Sequence, residues 1–150
     1  MPSIAVSHLY TFIALAIVGT LLVFSYSSYA SIVRTIPEIE QLKNILDHVA
    51  AKGNELLTLV TTTNATAQTF IQLPSTIGYR QYWIQVRNDT SNAWVEGALG
   101  KIGDGGTEYR VFIPGKVSTS GYHIGGYGPA VLECYVNGSI PQLNLSSVGG

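Results

Sequence analysis

The distribution of apolar and charged positions divides this chain into three parts. Residues 1–33 contain no Asp, Glu, Lys or Arg, and Arg34 is the first charged side chain. Residues 4–24 are apolar apart from Ser7, His8, Tyr10, Thr11, Gly19 and Thr20. A helix of this length measures about 31 Å, which is enough to cross the hydrocarbon core of a bilayer. The pattern therefore predicts a helix that resides in a membrane at some stage.

The second part carries one apolar stripe at helical spacing. The steps between its members alternate between three and four residues, and the charged residues of the segment lie off the stripe. Pro37 precedes the stripe and predicts a kink or a restart of the helix. Together the first two parts predict one long, kinked helix over residues 3–60. The stripe consists of Ile39, Leu42, Leu46, Val49, Gly53, Leu56 and Val60.

Three interpretations compete for the N-terminal segment. A cleaved signal peptide has a small-residue site at residues 28–30, but no basic residue precedes the apolar run. A membrane anchor with a helical stalk fits the same pattern, with Tyr26 and Tyr29 at the membrane interface. We favour a helix that packs among identical copies, because an apolar helix can be buried in protein as well as in lipid. Gly19 would permit a close approach. The packing residues of this helix would be Ile13, Ile17, Gly19, Leu22, Ile39, Leu42, Leu46, Val49, Leu56 and Val60.

The third part has the composition of a β-rich domain. A Thr-rich stretch at residues 61–66 predicts the helix exit, and short segments with strand character, separated by turn residues, follow it. Such a series favours a small antiparallel β-sandwich of the immunoglobulin-like type or a small barrel. We therefore expect an α+β fold with a long hydrophobic helix over residues 1–62 and a β-rich surface domain over residues 63–150. Strands are predicted at residues 69–73, 79–87, 93–99, 108–113, 121–124, 130–136 and 142–145.

Composition narrows the classes of function. Charged residues make up 11% of the chain and the net charge is −1, so no basic surface for nucleic acid is expected. His8, His48 and His123 lack the spacing of metal ligands, and Cys134 in an apolar strand predicts a buried thiol. The sequence indicates no catalytic, cofactor-binding or metal-binding set. We therefore do not expect an enzyme.

Four N-glycosylation patterns lie beyond the predicted helix, at Asn64, Asn88, Asn137 and Asn144. An alternative explanation is that Asn, Ser and Thr are common turn residues. N-linked glycans on these residues would place the C-terminal domain outside the cell.

The apolar run at residues 4–24, the stripe, the Thr-rich exit and the glycosylation patterns together resemble the archaeal type IV pilin and archaellin superfamily. In that family, hydrophobic helices form a filament core and β domains form the sheath. The resemblance implies an extracellular, adhesive filament of identical subunits, a membrane-inserted precursor, and a pilus assembly machinery with a prepilin peptidase and an ATPase. The architecture is also similar to membrane-anchored archaellum accessory proteins of the stator class, which pair an N-terminal helix with an immunoglobulin-like domain. That class is the alternative.

Overall fold

A computed structural model describes residues 2–148, and in this range the chain forms one helix followed by seven strands. Helix α1 spans Pro2–Thr63 and contains Pro37. It ends at the Thr-rich stretch, where Asn64 adopts a φ of 55° and its N–H donates to the Val60 carbonyl at 2.8 Å. In this left-handed conformation, Asn64 donates a hydrogen bond to a carbonyl at the helix end that would otherwise have no donor. Threonine hydroxyls also donate to carbonyls four residues earlier, at Thr58, Thr61, Thr62 and Thr63.

The chain forms two compact units, Met1–Pro37 and Glu38–Gly150. Their boundary falls inside α1, so the second part of the helix belongs to the same unit as the strands. The predicted division at residue 62 follows the end of the helix instead. The two divisions differ because the apolar stripe that begins at Ile39 packs with the strands.

The seven strands each overlap one predicted segment, and the α+β class is confirmed. The recognition from sequence worked because turn residues separate the segments, with Gly or Pro in most turns and a polar run at residues 89–92 between β2 and β3. The strands are β1 (Ala67–Ile71), β2 (Tyr82–Asn88), β3 (Ala93–Leu99), β4 (Tyr109–Ile113), β5 (Ser118–Ile124), β6 (Ala130–Asn137) and β7 (Ile140–Ser147).

The strands join in one sheet with the order β1-β6-β7-β5-β2-β3-β4. All neighbouring strands are antiparallel except β5 and β7, which are parallel. β5 changes partner along its length, because residues 118–121 pair with β7 and residues 122–124 pair with β2. Gly121 lies at this change with a φ of 98°, and a side chain there would collide with the Leu145 carbonyl. The sheet therefore depends on a glycine at its central junction.

The stripe of α1 packs on this sheet. Leu42, Leu46, Val49 and Val60 are fully buried in one hydrophobic core with side chains of the strands. A Cβ added to Gly97 of β3 would lie 3.1 Å from Leu46 Cδ2, so this glycine permits a close approach of helix and sheet. The stripe residues were expected to pack along other helices. Instead, Leu42 to Val60 face the sheet of the same chain, because the helix supplies the second layer that the predicted sandwich assigned to a second sheet.

The sheet curls around the helix. A Cβ added to Gly53, a buried member of the stripe, would lie 3.3 Å from Leu143 Cδ2 and 3.8 Å from Ile113 Cδ1. Leu143 belongs to β7 and Ile113 to β4, and three strands separate them in the sheet order. One position on the helix thus lies close to strands on both sides of β5. The face toward the helix is called the inner face below, and the opposite one the outer face.

Strand β2 illustrates the two faces. Tyr82, Ile84 and Val86 are buried on the inner face, and the Tyr82 hydroxyl donates to the Pro74 carbonyl at 2.5 Å. Burial raises the pKa of Tyr82 to about 12. Trp83 points to the outer face and is also buried. Strand β2 thus carries buried side chains on both of its faces.

Candidate interaction surfaces

The first unit carries a large apolar surface that the chain itself does not cover. By length and composition, the 27 residues Ile4–Ala30 are sufficient to cross a membrane, and none of this stretch is buried within the chain. Ile13, Ile17 and Leu22, predicted to pack in a helical core, are 46%, 55% and 66% exposed. A Cβ added to Gly19 would meet no atom within 4 Å. Exposed apolar surface of this extent requires lipid or protein around it.

The polar groups of this helix are compatible with an apolar environment. The Thr11 hydroxyl donates to the Ser7 carbonyl at 3.0 Å, and the Thr20 hydroxyl donates to the Ala16 carbonyl at 2.8 Å. Because these hydrogen bonds lie within the helix, the hydroxyl donors stay satisfied when water is removed. His8 lies exposed on the same helix. The residues from 2 to 148 contain no group of three His, Cys, Asp or Glu that could hold a metal ion.

A buried carboxylate organises the outer face of β2, β3 and β4. Glu96 is 1% exposed and accepts hydrogen bonds from Arg87 Nη1 at 3.2 Å and Trp94 Nε1 at 3.0 Å. Arg110 Nε lies 3.2 Å from Oε2, the oxygen that also accepts from Trp94, whereas Arg87 bonds to Oε1. Both arginine side chains are about half exposed, at 55% and 50%. One carboxylate therefore holds two guanidinium groups in place while they remain open to solvent.

Aromatic rings complete this cluster. The Arg110 guanidinium lies 5.0 Å from the centroid of the Trp94 ring, and the Phe112 ring meets Trp94 edge-on at 6.1 Å. Two arginines and one glutamate leave the cluster with a net positive charge beside the exposed Phe112 ring. A surface of this kind is suited to contact with a partner. Sequence reasoning missed it because its members come from three strands. The available signal was Glu96 in an otherwise apolar strand, which requires a cationic partner on a neighbour.

A cavity of about 370 Å³ opens beside the β5–β7 junction. Ser147 lines this cavity, and its Oγ lies 2.6 Å from His123 Nδ1; burial lowers the pKa of His123. Among the described residues, no carboxylate hydrogen-bonds to His123, so the pair lacks the orienting acid of a catalytic triad. The contact instead ties the end of β5 to the end of β7. The cavity is lined by Tyr122, Ile124, Tyr127, Leu145, Ser146 and Ser147.

The four glycosylation candidates occupy different settings. Asn64 is exposed at the end of α1, and Asn137 is exposed at the β6–β7 hairpin. The Asn88 side-chain oxygen accepts from the Thr119 N–H at 3.0 Å and from its hydroxyl. Asn144 is half-buried within the interior strand β7, and its oxygen accepts from the Ser120 hydroxyl at 3.3 Å. The geometry therefore favours Asn64 and Asn137 as acceptors.

Cys134 lies on the inner face of β6 and is fully buried. Burial raises the pKa of its thiol, which keeps the sulfur protonated and unreactive at neutral pH. This agrees with the expectation of a structural thiol.

Comparison with protein-family models, curated proteins and solved structures gives no match to this chain.

Proposed function

We propose that this protein is the structural subunit of an extracellular filament that resembles archaeal type IV pili and is adhesive. The segment Ile4–Ala30 resides in the membrane before assembly. On assembly it exchanges lipid for the same segment of identical subunits, and the β-rich unit lies on the outside of the fibre. The apolar surface stays away from water both in the membrane and in the fibre, so the exchange does not have to overcome a large hydration term. Close packing of the helices then stabilises the polymer.

One contrast within α1 carries this proposal. From Leu42 to Val60 the helix packs against its own sheet, whereas none of the apolar stretch within Ile4–Ala30 is buried by the chain. The second part of the helix is thus buried by its own chain, whereas the apolar surface of the first part is left uncovered. Identical helices suit this role, because every subunit brings the same uncharged surface.

The test is a substitution in the middle of the apolar segment. Asp in place of Ile17 or Ala14 should abolish fibres, because a carboxylate at the centre of an apolar span costs about 2.5–3.5 kcal/mol. The matched control is Thr58→Asp, which places the same charge on an exposed position of the same helix. Cells are sheared, and the pelleted material is studied by negative-stain electron microscopy and mass spectrometry. Normal fibres that contain Ile17→Asp would refute the buried helical core.

A membrane-anchored accessory protein is the second candidate. Tyr26 and Tyr29, both exposed, lie near the end of the same span, where aromatic residues anchor helices at a membrane interface. Such a protein should remain with the membrane after shearing and dissolve in detergent as a small, defined oligomer. Detergent-resistant fibres that contain the chain would exclude this candidate.

A further inference from the structure

The two edge strands of the sheet are β1 and β4. Among residues 2–148, β1 pairs only with β6, and β4 pairs only with β3. Soluble proteins usually shield a free edge with lysine, proline or a bulge, because its unpaired N–H and C=O groups attract other strands. The sequence of β1, AQTFI, has neither charge nor proline. The single charge of β4 belongs to Arg110, which is held by Glu96 of its own chain.

The edge strands also match each other. Each has five residues, and in each the exposure runs half-buried, exposed, half-buried, exposed and buried. Their exposed positions are Gln68 and Phe70 in β1, and Arg110 and Phe112 in β4. The phenylalanines are 59% and 62% exposed, although both are large and apolar. The two edges thus offer complementary surfaces of equal length.

The strand directions allow a regular continuation. Along the strand order, the one parallel and five antiparallel pairings make β4 run opposite to β1. A second copy that extends the sheet therefore presents its β1 antiparallel to β4 of the first. When all five residues pair, Thr69 lies opposite Val111, and the exposed positions lie opposite exposed positions.

We propose that β1 of one subunit pairs with β4 of the next, so that the sheet continues from subunit to subunit along the filament. This inference rests on the proposed filament function. In the stated register Phe70 faces Arg110 of the neighbour, and Gln68 faces its Phe112. The Arg110 guanidinium already lies 5.0 Å from the Trp94 ring centroid and is half exposed, so Phe70 adds a second aromatic contact.

The contact joins two different surfaces and therefore builds an open chain of subunits. Pairing of β1 with β1, or of β4 with β4, would instead relate two copies by a two-fold axis. Successive subunits would then point in opposite directions, whereas a bundle of N-terminal helices in a growing filament requires one direction.

Cysteine cross-linking of assembled filaments tests the register. Gln68→Cys and Phe112→Cys are introduced together into the full chain, because opposed cross-strand residues lie within disulfide reach. Filaments are grown under reducing conditions, oxidised, dissolved in SDS and separated on a non-reducing gel. Wild-type filaments are the control, since the native Cys134 is buried.

The double variant should give a ladder of covalent multimers, each single variant should give monomers, and filaments mixed from the two single variants should stop at dimers. A double variant that stays monomeric in intact filaments would overturn the edge pairing while leaving the filament function in place. Dimers from either single variant alone would also overturn it, in favour of two-fold pairing. Absence of fibres from wild-type cells would reject both proposals together.

A matched pair of variants gives a second test without cysteine. Phe70→Lys places a positive charge opposite Arg110 of the neighbour, and Phe70→Glu places a negative one there. The pelleted filament fraction should fall about fivefold or more for the lysine variant relative to the glutamate variant. Equal yields would overturn the proposed register. Because Phe70 is mostly exposed, both variants should keep the wild-type unfolding midpoint.

Discussion

The packing of α1 on the sheet can be tested by removing one fully buried side chain. Leu46 of α1 is 0% exposed, packs against the inner face of the sheet and lies against Gly97 of β3. Leu46→Ala removes three carbon atoms, which corresponds to about 2.4 kcal/mol of lost transfer free energy. The cavity left behind brings the expected loss in the free energy of unfolding to about 3–4 kcal/mol.

Thermal unfolding of the full chain in detergent micelles measures this effect. Both tryptophans, Trp83 and Trp94, lie in the sheet, so their fluorescence reports on the unit Glu38–Gly150. At about 4 °C per kcal/mol for a domain of this size, the midpoint should fall by about 12–16 °C.

The matched control is Leu59→Ala, because Leu59 lies on the same helix and is 51% exposed. Its midpoint should change by only a few degrees. Similar small shifts for Leu46→Ala and Leu59→Ala would refute the view that the apolar stripe is filled by the sheet of its own chain.

Three further predictions concern the unit Glu38–Gly150. Glu96→Gln should lower the free energy of unfolding by about 2 kcal/mol, because two arginines and Trp94 Nε1 lose a charged acceptor; chemical denaturation should show a change below about 0.5 kcal/mol for the exposed Glu108→Gln. Because burial lowers the pKa of His123, the unfolded chain binds more protons below the ordinary value of 6.5, so the unfolding midpoint should fall as the pH drops below that value. His123→Gln should flatten this slope, and an unchanged slope would assign it to other groups. Glycopeptide mass spectrometry of material from the native source should find glycans at Asn64 and Asn137, and a fully occupied Asn144 would contradict the accessibility argument.

The sequence predicted the elements of this fold better than their arrangement. The seven strands could be predicted because turn residues separate each apolar segment from the next, and this signal is local in the sequence. The strand order was beyond reach, because the parallel pairing of β5 with β7 joins residues 24 positions apart, and no local pattern in the sequence indicates it. The apolar stripe was recognised as a buried helix face, but a stripe of this kind fits a sheet or a second helix equally well.

The candidate surfaces divide in the same way. The exposed segment Ile4–Ala30 follows directly from an uncharged run of residues. In contrast, Glu96, Arg87 and Arg110 occupy three strands, and only the pairing of β2, β3 and β4 brings them together. Likewise, the settings of Asn88 and Asn144 depend on Thr119 and Ser120, which lie in a different strand from either asparagine.

The division of β5 between two partners has a mechanical consequence. Four residue pairs connect β5 to β7, and three connect it to β2, so the two halves of the sheet are joined by short ladders. Under tension, such a junction would open before the eight-residue ladder between β6 and β7. The second part of α1 lies close to Leu143 in one half and to Ile113 in the other, and so the helix bridges the junction between the two halves. A pulling force on this unit should therefore meet its main resistance at the helix, and unfolding should begin when the helix detaches from the sheet.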